Sequence, residues 1–448
     1  MKLPDSVTEL IQLLEGRGFD TWAVGGCVRD ALLGIEPHDF DLCTGALPEQ
    51  MQEIFRDYRL VLAGIKHGTV GVVTAGGVVE ITTFRTEGAY GDARHPGWVK
   101  FVSSIDRDLA RRDFTINAIA FSPTRGYRDP FGGQADLKNK ILRCVGDPET
   151  RFREDALRIL RGARFAARFG LTIEENTWKA MLETAPLMDC LARERVFEEL
   201  CRLIMLTDAK TLCRLAPIVT RAVPGLAPMV GFDQHSPHHS YDVFTHTAWV
   251  VQRVDGDLAL KLAALFHDCG KPATFSMDPV GRGHFLSHAK VGAEMANQIL
   301  LELKAPTALR EEAVWLAEHH MSYFQPSRKS IRKMLSRHGK DRLLKLVSLH
   351  RADLMGKDAE DISEGLARLA LIRELICQVE QEEGRFTLRD LAVNGRDLMD
   401  AGISPGPAMK EILSRLLELV LSEQLPNEKE SLLAHALMEN RSILQENA

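Results

Sequence analysis

The stretch AVGGCVRDALLGIEPHDFD, Ala23–Asp41, restricts the fold more than any other part of this chain. It reads as a short strand at Thr21–Val24, a Gly25-Gly26 turn, a helix from about Cys27, and extended chain carrying Asp39 and Asp41. A strand that passes through glycines into a helix lets the backbone approach a ligand and aims free N–H groups at phosphate. Arg29, in the first helical turn, adds a forked cationic donor. Alternate residues of a strand share a face, so Asp39 and Asp41 present both carboxylates to one site while Phe40 turns into a core. Two hard oxygen ligands left partly hydrated suit Mg²⁺ beside a nucleoside triphosphate. A Gly-Gly pair alone is most often a tight turn, and a lone Asp-x-Asp a surface loop. In this order and spacing they point to nucleotidyl transfer.

A chain of 448 residues exceeds what one hydrophobic core holds, about 250–300 residues, and so predicts several domains. No apolar run approaches the roughly 18 residues of a membrane span. The opening MKLPDSVTELIQLLEGRGFD has the pattern of an acidic amphipathic helix rather than a secretion signal. Eight scattered cysteines without a CxxC pair indicate neither a zinc ribbon nor a disulfide framework, and fit a reducing cytoplasm. The net charge of −6 argues against a nucleic-acid partner only as an average. Lys100–Gly170 holds fifteen Lys/Arg against nine Asp/Glu, a local excess that can meet phosphates.

Val70–Val73 and Val78–Phe84 are β-branched runs joined by Ala-Gly-Gly, a hairpin signal. Ala89–Trp98 is polar and broken by Gly and Pro, which predicts a loop. From Asp136 strand signals nearly vanish, and Arg151–Phe169, Glu174–Leu187 and Arg193–Leu206 read as successive amphipathic helices. Pro217–Pro237 reads as a linker into a second helical block at about Tyr241–Gly356, followed by a helix at Ser363–Glu382 and a periodic helix after GISPGP.

RRDFTINAIAF, Arg111–Phe121, places Arg112 where it can reach a triphosphate; its plainer reading is a charge cluster at a helix start. In the helix expected over Arg151–Phe169, Asp155 and Arg158 are three apart and share a face, which Arg161 and Arg164 extend. An intrahelical salt bridge on a solvated helix has the same spacing. The chemistry is more specific: a carboxylate only accepts hydrogen bonds and a guanidinium only donates them. Cytosine and adenine both offer an amino donor beside a ring-nitrogen acceptor, whereas guanine and uracil reverse that order. Such a pair accepts C and A and rejects G and U, each buried mismatch costing about 1–3 kcal/mol.

VGGCVRD, DFD, KHGTV, RRDFTINA, DPFGGQADL and REDALRILRGARF, in order over Ala23–Gly170, resemble the class II tRNA nucleotidyltransferases, the CCA-adding enzymes, and their poly(A) polymerase relatives. The resemblance implies an α+β chain: a nucleotidyltransferase-type mixed β-sheet head (1–137), then a mostly helical neck (138–235), an HD-like helical body (236–360) and a tail (361–448). It further implies that Asp39 and Asp41 bind Mg²⁺, that Gly26, Arg29 and Arg112 contact triphosphate and sugar, and that Asp155 and Arg158 read the base with Arg161 and Arg164 nearby. Glu80 is a candidate third carboxylate. The implied reaction adds C, C and A to the tRNA 3′ end from CTP and ATP and releases pyrophosphate. The alternatives are an enzyme adding only CC or only A, a poly(A) polymerase, and, from another class, a metal-dependent phosphohydrolase with a tRNA-binding module.

HTAWVV, LFHDCGK and HRADLMG resemble the signature of HD-domain phosphohydrolases. They make His246, His267, Asp268 and Asp353 candidate ligands of a second divalent metal, with His288 and the His319-His320 pair as further ligands and Lys271 as a phosphate contact.

Overall fold

The computed structural model describes residues 1–87, 99–235, 240–357, 362–383 and 386–446. The chain forms two compact units, Met1–Ala227 with Leu301–Ala305, and Pro228–Leu300 with Pro306–Ala448.

The first unit contains a seven-stranded mixed sheet in the order Leu60–Val61, Thr69–Thr74, Gly77–Thr83, Asp41–Thr44, Thr21–Val24, Ala120–Ser122, Gly126–Arg128. Thr21–Val24 is buried along its whole length, as a strand between two others must be. The β-branched runs form the expected hairpin, and the pairs Val70↔Ile81 and Val72↔Val79 bury one face at the strand period of two. Asp41–Thr44 runs parallel to Gly77–Thr83, which sets Asp41 directly beside Glu80. The helix Asp5–Gly16 buries Val7, Leu10, Ile11 and Leu14, one helical face. Trp22, Val24, Phe84, Leu109, Ala120 and Val145 meet in a core cluster under the sheet.

Two sequence expectations change. The single helix expected over Arg151–Phe169 is two helices, Pro148–Glu154 and Leu157–Phe169, parted at Asp155, whose backbone is extended (φ −145°, ψ 102°). Its own side chain accounts for the break. Asp155 Oδ1 accepts the Leu157 N–H at 3.0 Å, competing with the helical bond that amide would otherwise make. The expected linker at Pro217–Pro237 begins instead as the helix Ala216–Ala222 followed by a 3₁₀ turn from Pro224. Pro217 stands in the first helical turn, where a missing N–H costs nothing, and Ile218, Val219 and Leu226 are buried. The loop expected at Ala89–Trp98 lies outside the described residues.

The second unit is helical, with Val243–Arg253, Leu258–Phe266, Thr307–His319, Lys340–Gly356 and Ser363–Glu383 among its helices. Ala259 to Phe266 are buried without interruption, so this helix is central, and its one cation, Lys261, donates to the Val251 carbonyl at 2.6 Å. Farther along, Leu398, Ile412, Leu416, Leu432 and Ala436 form a separate small core. Among the described residues no helix is long and apolar enough to cross a membrane.

Candidate active site

A cavity of about 520 Å³ opens in the first unit, lined by nine arginines and only three aspartates, a balance suited to a polyanion. Its glycine wall follows from the strand-turn-helix seen in the sequence. Gly25 has φ +72°, and a Cβ there would lie 2.8 Å from Arg112 Nη1, so only glycine lets the turn and the arginine meet. Arg112 Nη2 donates to Asp108 Oδ2 at 3.2 Å and Arg111 Nη2 to Asp108 Oδ1 at 2.8 Å. Burial opposes the Arg112 charge, but Asp108 outweighs it and raises the pKa. One buried carboxylate shared by two guanidiniums leaves net positive charge at the cavity. Arg29 is held by Asn117 Oδ1 at 2.6 Å and by the Phe165 and Phe169 rings, 5.2 and 4.6 Å from its guanidinium carbon. Gly26 opens the helix Gly26–Leu32 and also lines the cavity.

Of the paired aspartates, Asp41 begins a strand and lines the cavity, whereas Asp39 precedes the strand and Phe40 is half-buried. Desolvation raises the Asp41 pKa, and the charges of Glu80 and Asp39 raise it further against the pull of Arg112. Three carboxylates thus sit close enough to repel, and a divalent cation relieves that repulsion. The chemistry of the donors fits a hard ion.

Asp155 and Arg158 both line the cavity, each held by a different partner. Arg195 Nη2 donates to Asp155 Oδ2 at 3.1 Å. Arg158 Nη1 donates to Glu154 at 2.7 Å, and its Nη2 to the Arg111 carbonyl at 3.1 Å. Arg161 grips Asp113 Oδ2 with two donors at 2.8 and 2.7 Å, and Arg164 pairs with Glu199 at 2.6 Å. The helix carrying these arginines packs closely because Gly162 faces Phe114, whose ring would lie 2.8 Å from any Cβ. The sequence reading missed Asp108, Asn117 and Arg195. Asn117 lies inside RRDFTINA and was legible there; Arg195 comes from another helix and carried no local signal.

In the second unit His246, His267, Asp268 and Asp353 come together. His246 Nε2 is 2.9 Å from Asp353 Oδ1, and His267 Nε2 is 3.2 Å from Asp268 Oδ2. His288 and His320 join them, while His319 stacks on Trp315 with ring centroids 4.3 Å apart. Lys271 bridges Asp268 and Gln234 at 2.7 and 2.8 Å.

Comparison with known proteins bears on the family of the chain. A family model described as the poly A polymerase head domain matches residues 21–143, and one for tRNA nucleotidyltransferase domain 2 matches residues 284–436. A CCA-adding enzyme of Levilactobacillus brevis is 36% identical over 95% of this chain and 95% of its own. That of Lactiplantibacillus plantarum is 32% identical over 96% and 95%. The structure of the Bacillus stearothermophilus CCA-adding enzyme in complex with CTP superposes with a TM-score of 0.76 at 30% identity, covering all of both chains. With identity and coverage of this extent, the chain belongs to the CCA-adding enzymes, within the class II tRNA nucleotidyltransferase and poly(A) polymerase family.

Proposed function

We propose that the cavity of the first unit carries out CCA addition with the residues in the following roles. The protein adds C, C and A to tRNA from CTP and ATP; the observation that carries the assignment of roles is one arginine-rich cavity with Asp41 and the Asp155/Arg158 pair in its wall. Asp39 and Asp41 hold the divalent ion on which the reaction depends, assigned here as Mg²⁺. An ion held by these carboxylates would supply a lowered pKa at the attacking 3′-hydroxyl and charge neutralisation on the phosphoryl group. Gly26, Arg29 and Arg112 receive the triphosphate and sugar. Asp155 accepts from the amino group of cytosine or adenine, and Arg158 donates to the ring nitrogen. Arg161 and Arg164, committed to Asp113 and Glu199, stiffen the reading helix and add positive potential. Purified protein incubated with tRNA lacking its end and each labelled triphosphate tests this. Addition of C, C, then A and a stop is expected; a long A tail on arbitrary RNA, or no incorporation, contradicts it.

A second reading applies to the histidine centre. His246, His267, Asp268 and Asp353 hold a second divalent metal, supported by His267 Nε2, which is buried without a hydrogen-bond partner. Metal analysis of the full chain tests it, with His267→Ala expected to lower the content; metal retained in full removes this residue from the ligands. The compartment assigned to the protein is the cytoplasm, whose reducing character suits eight cysteines scattered along the sequence.

A further inference from the structure

The helix Leu157–Phe169 carries two aromatic rings one turn apart at its end, Phe165 and Phe169, stacked with centroids 6.2 Å apart and planes 15° from parallel. Against both lies the guanidinium of Arg29, which comes from a different helix, Gly26–Leu32. Its carbon is 5.2 Å from the Phe165 centroid and 4.6 Å from that of Phe169. Arg29 is only 5% exposed, so these neighbours rather than water decide where its charge sits.

The way Arg29 is held leaves it able to bind. Asp30 Oδ1 accepts from Nε at 2.8 Å and stands 2.6 Å from Nη2, and Asn117 Oδ1 accepts from Nη1 at 2.6 Å. Each terminal nitrogen carries two hydrogens, so one on each is left for an oxyanion. Asp30 follows Arg29 on the same helix and moves with it, whereas Asn117 and the two rings come from other segments and fix the guanidinium in place. A second carboxylate could fix it too, but would take up those hydrogens and cancel the charge. A ring face attracts the cation through its quadrupole and consumes no N–H.

We propose that Phe169 is a positioning residue for the triphosphate: with Phe165 it sets the plane of Arg29, and so ties triphosphate binding to the helix that reads the base. This rests on the role given to Arg29 above. Arg158 stands near the start of that helix and Phe169 at its end, about 17 Å apart along the axis. One rod therefore meets both ends of the bound nucleotide. Phe165 also packs edge-on against Phe114 at 6.0 Å and under Arg164 at 4.3 Å, so its loss would disturb more than Arg29. Phe169 is half-buried at the last helical position and isolates the effect.

The test replaces the ring in the full chain and measures addition to tRNA lacking its end. Phe169→Leu keeps apolar bulk without the ring face. It is expected to raise KM for CTP and ATP alike by about fivefold with little change in kcat, within what a desolvated cation–ring contact is worth. The CTP-to-UTP ratio of kcat/KM should stay at the parent value, and Phe169→Tyr, which keeps the ring, should stay near the parent throughout. In an Arg29→Gln background, where KM is already raised, Phe169→Leu is expected to add nothing. Parent KM values in Phe169→Leu overturn the proposal. So does a further rise of equal size in the Arg29→Gln background, because the ring then acts through another group. A reduced CTP-to-UTP ratio overturns it too, by showing a displaced reading helix. Parent KM values in Arg29→Gln alone would overturn the earlier role of Arg29, an outcome read without any change at Phe169.

Discussion

Asp155 and Arg195, forty positions apart in sequence, share a hydrogen bond of 3.1 Å that fixes the carboxylate at the cavity wall. A carboxylate offers about four acceptor positions; Arg195 and the Leu157 N–H use two, leaving capacity for an incoming amino group. Arg195→Ala is expected to lower the preference for CTP over UTP, measured as the ratio of kcat/KM values, by about tenfold, since a hydrogen bond to a charged group is worth about 1.5–3 kcal/mol. Arg195→Lys is expected to recover part of it. An unchanged ratio in the alanine variant would detach Arg195 from base selection.

Asp41 and Glu80 lie side by side on parallel strands, and desolvation together with Glu80 and Asp39 raises the Asp41 pKa. A raised carboxylate pKa means that protonation begins at higher pH and removes the ligand there, so activity falls as pH drops through that raised value. A bound cation favours the ionised form. The acid limb of the kcat/KM profile is therefore expected to move to lower pH as Mg²⁺ increases, and Glu80→Gln to move it the same way. A limb insensitive to both would place the titrating group elsewhere. Asp39→Ala and Asp41→Ala should each abolish incorporation while tRNA still binds in a filter assay.

At Gly25 a side chain meets two obstacles, a left-handed φ of +72° and Arg112 Nη1 at 2.8 Å. Gly25→Ala is expected to raise KM for CTP and ATP alike, about tenfold or more, because the strained turn and displaced arginine weaken triphosphate contacts common to both. An effect confined to one nucleotide would contradict that.

Asp113 is buried, and burial alone would push its carboxyl up; Arg161 and Asn117 outweigh this and hold the pKa at about 2. Its folded pKa is below the unfolded value of about 3.9, so the unfolded chain takes up the proton first. The resulting stabilisation, about 2 kcal/mol, is full above about pH 4 and is lost as pH falls toward 2. Asp113→Asn should lower the midpoint of urea unfolding at pH 7, with a smaller difference from the parent near pH 3. Equal differences at both pH values would show that Asp113 does not supply the dependence.

Local patterns carried the head sheet and its glycine turn into the sequence reading, because period-two runs such as Val70–Val73 and the Gly25-Gly26 turn declare themselves within a few residues. The break at Asp155 did not, since a helix-compatible periodicity runs through it and only the capping bond to Leu157 reveals the stop. Tertiary pairings such as Arg158 with the Arg111 carbonyl, or Arg161 with Asp113, depend on chain segments brought together by folding and leave no spacing to read. They also change which experiment is informative. Exchanging Asp155 with Arg158 would set a carboxylate against Glu154 and two backbone carbonyls, and would disturb the wall itself.

The most direct test is therefore Asp155→Asn, which keeps size and acceptor oxygen but adds an N–H donor, with kcat/KM measured for CTP and UTP on the same tRNA. The preference for CTP is expected to fall by about tenfold or more without inverting, because Arg158 still opposes the uracil ring N–H. A variant that discriminates as sharply as the parent would contradict base reading by Asp155.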